Sequence, residues 1–76
     1  RINNLGPGYF KTEMTKKSYS DLKKRKSRSN RTMLGRWGII DELVGPAIFL
    51  ASNASSYITG HDLYVDGGWI ANGLSD

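Results

Sequence analysis

Hydrophobic and polar positions divide the chain into unlike stretches. Arg1 to Leu5 is short, carries Ile2 and Leu5, and stops at Gly6-Pro7-Gly8, where proline removes a backbone donor and glycine permits unusual angles. That predicts a strand running into a tight loop. From Thr15 to Arg31 the pattern is polar, with Tyr19 and Leu22, three apart, as the sizeable apolar groups; a weak helix or a mobile loop is expected. Leu34-Gly35-Arg36-Trp37-Gly38 breaks the chain again.

After this break Leu43, Ala47, Ile48, Leu50 and Ala51 recur at near-helical spacing, which predicts an amphipathic helix over 41–52 with Asp41 as its N-cap. Pro46 lacks the amide that would bond four residues back, but so near the start it bends the helix rather than ending it. Residues 53–60 form a loop of small polar residues. His61 to Asp66 then alternates polar and apolar before Gly67-Gly68, a strand entering a turn. Strand, long excursion, helix, strand is the order of a right-handed parallel crossover. Its core is expected to be Ile2, Leu43, Ala47, Ile48, Leu50, Leu63 and Val65. Two parallel strands do not stand alone, because such sheets need both faces covered.

Composition sharpens this picture. The 76 residues begin at Arg1 rather than Met, which reads as a cut edge. A chain of this length buries only about 60–65% of its unfolded surface, so some partner is expected to complete the core. With no cysteine and one histidine, His61, there is no disulfide framework and no cysteine- or histidine-rich metal site. No apolar run approaches the ~18–20 residues that span a bilayer, so no membrane association is expected and the location should be cytoplasmic. Of the eleven Lys and Arg residues behind the net charge of +4, those from Lys16 to Arg31 are opposed locally by Asp21 alone. Lys23-Lys24-Arg25-Lys26 therefore imitates a nucleic-acid patch, although the scarcity of aromatic residues nearby favours a solvated face.

Gly6-Pro7-Gly8-Tyr9-Phe10-Lys11-Thr12-Glu13-Met14-Thr15 resembles the Pro-Gly loop that follows the sixth strand of the short-chain dehydrogenases/reductases. Leu34-Gly35-Arg36-Trp37-Gly38, Phe49-Leu50-Ala51-Ser52, Tyr57-Ile58-Thr59-Gly60 and Val65-Asp66-Gly67-Gly68 resemble that family's last helix, last loop and seventh strand, in order. The wording is most similar to its sugar-acid members, notably over Pro7–Thr15, Asn30-Arg31-Thr32 and Leu34–Gly38. The resemblance implies an α/β fold: the last two strands, and the helix between them, of a Rossmann-like doubly wound parallel sheet. Residues 1–76 are then the C-terminal segment of a single NAD(P)-binding domain, with 13–35 a variable excursion over the substrate.

It also implies a site. Pro7, Gly8, Tyr9, Phe10 and Thr12 are expected to bind NAD or NADP, Tyr9 and Phe10 through backbone groups on the nicotinamide carboxamide and Thr12 through its hydroxyl, while Gly8 lets backbone approach the cofactor. Read without the family, Pro7-Gly8 is a turn and Thr12 a helix cap. The glycine-rich pyrophosphate fingerprint and the family's serine, tyrosine and lysine set, which precede this loop, have no counterpart among the 76 residues, so no catalytic residue is assigned. Tyr19 and Lys23 stand four apart like the catalytic pair, but they follow the loop and lack a partner serine. Asn4, Gly6 and Ile39 depart from the family pattern, each weakening packing or capping by ~1 kcal/mol.

The resemblance makes the chain part of an oxidoreductase acting on a secondary alcohol or ketone of a sugar acid, inactive alone. The full protein would assemble as a homotetramer through its last helix and strand. A small basic nucleic-acid-binding module and a non-catalytic interaction remnant are the alternatives.

Overall fold

The computed structural model of the protein describes residues 1–72. In chain order it contains β1 (Asn4–Pro7), β2 (Phe10–Lys11), α1 (Lys16–Ser20), α2 (Leu22–Asn30), β3 (Gly38–Ile39), α3 (Asp41–Ala51), a 3-10 turn (Asn53–Ser55), β4 (Asp62–Val65) and α4 (Trp69–Asn72). Two short parallel ladders organise it, β1 with β4 and β2 with β3.

The first strand was expected to end at Leu5 and instead runs to Pro7. The amides of Asn4 and Gly8 donate to the carbonyls of His61 and Val65 at 2.9 and 3.0 Å, so even-numbered residues face β4. The nitrogen of Pro7 points the other way, and its missing hydrogen costs the ladder nothing. Leu5, Leu63 and Val65 are half-buried beneath α3, while Asp62 and Tyr64 stay exposed on the opposite face. On that face the Asn4 amide reaches the Asp62 carboxylate at 2.7 Å. The ring of Tyr64 lies across Gly6, where a Cβ would sit 2.6 Å from it.

Helix α3 covers most of the predicted span but starts differently. Ile40, not Asp41, is the N-cap and makes no side-chain bond; Asp41 and Glu42 fall in the first turn, where negative charge complements the helix dipole. The helix passes through Pro46, and the preceding Gly45 has no Cβ to add to the crowding at the proline ring. At its other end Ser55 is fully buried, its hydroxyl within reach of the Leu50 and Ser52 carbonyls at 3.1 and 3.2 Å. The Arg1 guanidinium donates to the carbonyls of Ser55 and Ser52 at 2.9 and 3.2 Å, a cation at a helix C-terminus that ties the entry of β1 to the exit of α3.

The expected aliphatic core is corrected. Ile2, Ala47 and Ile48 are exposed, and Leu43, Leu50, Leu63 and Val65 are only half-buried, because a two-stranded sheet under one helix leaves the far side of each open. Among the described residues the buried hydrophobic ones are Phe10 and Trp37, at 6% and 5% exposure, and both belong to the β2–β3 unit. Trp37 meets Tyr9 at 5.5 Å between ring centroids and Tyr19 edge-on at 5.2 Å, and its indole N–H donates to the Arg25 carbonyl at 3.2 Å. Around this cluster the polar stretch folds into α1 and α2 rather than remaining a loop. Asp21 caps α2, its carboxylate accepting from the amides of Lys23 and Lys24 at 3.1 and 3.2 Å. Aromatic side chains are therefore brought to the basic helix from three segments, although its own sequence carries none.

Candidate functional site

The Pro-Gly loop leaves the carboxyl end of β1 beside the carboxyl end of β4, where open α/β sheets bind ligands. Gly8 is packed against Asp66, and a Cβ there would lie 2.8 Å from the Asp66 Cα, so the close approach it permits in this structure is to the neighbouring strand end. The Asp66 carboxylate in turn accepts from the amides of Gly68 at 2.9 Å and Ile70 at 3.1 Å, fixing the turn into α4.

Pro7 and Gly8 are exposed, Tyr9 and Thr12 half-buried, and Phe10 buried. The Tyr9 carbonyl accepts from the Gly38 amide at 2.9 Å, and the Phe10 ring fills the space that a side chain on Gly38 would take. Both residues thus anchor the loop to β3. Thr15, not singled out from the sequence, organises the rest. Its hydroxyl accepts from the Thr12 amide at 2.9 Å and donates to the Phe10 carbonyl at 2.5 Å. A hydroxyl has one proton, so in the 3.3 Å contact between the two threonine oxygens Thr12 is the donor. Lone pairs on the Thr12 oxygen remain available to an incoming donor. The Thr-x-x-Thr spacing from Thr12 to Thr15 was the signal for this local bond.

The excursion is pinned at its end. The Leu34 amide donates to the Gly67 carbonyl at 3.1 Å, and the Asn72 side chain to the Arg31 carbonyl at 2.9 Å. Next to this junction Arg36 forms a two-pronged pair with Glu42 at 2.9 and 2.8 Å, and the same carboxylate accepts from the Ile39 amide at 3.0 Å. Glu42 thereby fixes the turn from β3 into α3. The Arg36 bonds first, and then the Ile39 amide, lower its pKa from 4.5 to about 2, and the pairing raises that of Arg36. A carboxyl depressed on folding stabilises the fold above its unfolded pKa, and that contribution disappears as pH falls through about 2. A pH titration followed at the Ile39 amide resonance should therefore show its midpoint near 2 rather than 4.5, and Glu42→Gln should abolish it.

A cleft of about 100 Å³ separates the two ladders, lined by Tyr9, Phe10, Arg36, Glu42, Val65 and Asp66 among others. It is well below the ~300 Å³ at which small-molecule sites begin. No group of metal-ligating side chains occurs among the described residues. None of their helices is long and apolar enough to cross a membrane. Tyr19 packs on Trp37 beneath Lys11 and Arg25, whose charges lie 4.7 and 5.0 Å from its ring centre.

Parallel strands joined through a helix, with a Pro-Gly loop at one carboxyl end and an Asp-Gly-Gly turn at the other, are the closing elements of a dinucleotide-binding sheet. The family model described as enoyl-(acyl carrier protein) reductase matches residues 1–70, and the chain belongs to this family of short-chain dehydrogenases/reductases. Among individual relatives, it is 52% identical over 68 residues to gluconate 5-dehydrogenase of Gluconobacter oxydans, covering 90% of this chain and 27% of that protein. It is 47% identical over 70 residues to 5-keto-D-gluconate 5-reductase of Escherichia coli K12, covering 92% and 28%. The crystal structure of a gluconate 5-dehydrogenase from Burkholderia cenocepacia, in complex with NADP and tartrate, superposes with a TM-score of 0.89 at 46% identity, over 93% of this chain and 28% of that one. The chain thus spans little more than a quarter of the length of the relatives it matches.

Proposed function

We propose that this chain is the nicotinamide-side portion of an NAD- or NADP-dependent oxidoreductase that interconverts a secondary alcohol and a ketone of a sugar acid. The observation that carries the reading is the placement of Gly8–Thr12 over the paired carboxyl ends of β1 and β4. The sugar-acid dehydrogenases among its relatives, and the NADP in a related crystal structure, support the substrate class and the cofactor. When bound, the cofactor supplies or accepts the hydride. Backbone groups of Tyr9 and Phe10, on a loop held by β3, fix one edge of the carboxamide. The lone pairs of the Thr12 hydroxyl, directed by Thr15, accept from its amide.

Pro7 and Gly8 set where this loop leaves the sheet. The proton-transfer residues of the family precede the loop in sequence and are not among these 76 residues, so the chain orients the ring and does not move the substrate proton. The basic excursion lies over the substrate, and α3 with β4 forms the subunit contacts of a tetramer.

A chimera tests this reading. Replacing the 68 matched residues of the Gluconobacter oxydans enzyme with their counterparts here should preserve cofactor-linked oxidation of gluconate. Thr12→Val in that chimera should lower kcat/KM by about tenfold, the loss of one hydrogen bond of ~1.4 kcal/mol. A chimera that folds, as judged by circular dichroism, yet binds neither cofactor would overturn the proposal.

A further inference from the structure

Between α2 and the Arg36–Ile39 segment runs a groove of about 560 Å³, and the side chains that line it include Lys11, Arg25, Lys26, Tyr19 and Trp37. None of its lining residues is acidic. Among the described residues Lys11, Arg25 and Lys26 have no carboxylate partner, whereas Arg36, at the rim, is held by Glu42. Lys11 and Arg25 both sit over one ring, that of Tyr19, at 4.7 and 5.0 Å, and Tyr19 is itself fixed edge-on to the buried Trp37. Lys11, Arg25 and Lys26 line one groove that contains no carboxylate, and an anion entering it supplies the missing counter-charge. With Tyr19 occupied by the cations, little aromatic face is left for stacking nucleic-acid bases. On the groove wall Asn30 adds an amide, and Ser29, whose hydroxyl donates its proton to the Arg25 carbonyl at 2.8 Å, adds an acceptor beside the charge.

We infer that this groove binds a small hydroxylated carboxylate, with Lys11 and Arg25 holding the carboxylate and Asn30 and Ser29 meeting its hydroxyls. The site is then specificity-determining: it selects the acid over the uncharged sugar. The choice of a sugar acid rests on the proposed function, but the test contains no cofactor, so its failure and the failure of the chimera are separate results.

The test is a titration of the 76-residue chain at constant ionic strength with gluconate, glucose and inorganic phosphate, read at the Trp37 indole N–H resonance and by urea midpoint. A ligand that binds only the folded chain also raises its stability, so a partly folded sample still reports. Gluconate should shift the resonance saturably and glucose should not. Lys11→Gln and Arg25→Gln should each weaken binding at least fivefold, and Arg25→Lys should restore most of it. The double substitution Lys23→Gln and Lys24→Gln, which removes more charge from the same helix outside the groove, should change it less than twofold. No saturable shift, an equal loss in that double variant, or phosphate binding as tightly as gluconate would each overturn the assignment.

Discussion

Purified alone, the chain should leave the reduced-cofactor absorbance band unchanged with gluconate or with 5-ketogluconate, under conditions where an intact relative turns over. On the proposed reading the loop orients one end of the cofactor, but binding without a proton donor leaves the transition state unsupported. Loss of general acid–base catalysis alone is worth about 10²–10⁴ in rate. Tyr19 and Lys23 do not substitute, because Tyr19 packs on Trp37 and the cations at its ring are Lys11 and Arg25. Turnover by the isolated chain that Tyr19→Phe abolishes would refute this.

Replacing Trp37 by alanine should have the largest structural effect. Its ring joins Tyr9, Tyr19 and the α2 backbone, and truncating a buried tryptophan costs about 3–5 kcal/mol. For a chain this small that is comparable to the whole stability. The variant should lose its cooperative urea transition, while Trp37→Phe keeps a weakened one. Ile2→Ala, at a position 81% exposed, should move the free energy by no more than about 0.5 kcal/mol. The reverse ranking would show that the aliphatic residues, not the aromatic cluster, hold the chain together.

That contrast marks where the sequence was legible. Asp41–Ala51 and Asp62–Val65 were readable because a helical period and a strict alternation persist over several residues, and the resemblance of the flanking motifs ordered them. The β2–β3 ladder was not, since two residues per strand carry no period. Helix α2 looked solvent-loving because its contacts are made by arginine side chains laid over rings contributed from Tyr9, Tyr19 and Trp37, and no one-dimensional pattern records that. The aliphatic core failed for a different reason. The pattern correctly marks faces meant to be covered, and with one sheet pair and one helix they are not. At the candidate site, the loop was found from its motif and Thr15 left a signal in its spacing from Thr12, whereas the bonds of Glu42 to Arg36 and to the Ile39 amide become visible only in three dimensions.

The glycines that face aromatic rings have a consequence for alignment of the strands. Each ladder is too short for alternation to forbid slippage: four residue pairs in one, two in the other. In each, however, a ring lies on the one partner residue without a side chain, Tyr64 on Gly6 and Phe10 on Gly38. Sliding β1 by one position would set Tyr64 against Leu5 or Pro7, and sliding β2 would set Phe10 against Trp37 or Ile39. Both moves drive an aromatic ring into occupied volume. The bare positions therefore act as keyways, and the register that brings the Pro-Gly loop over Asp66 is locked by steric fit rather than by hydrophobic patterning.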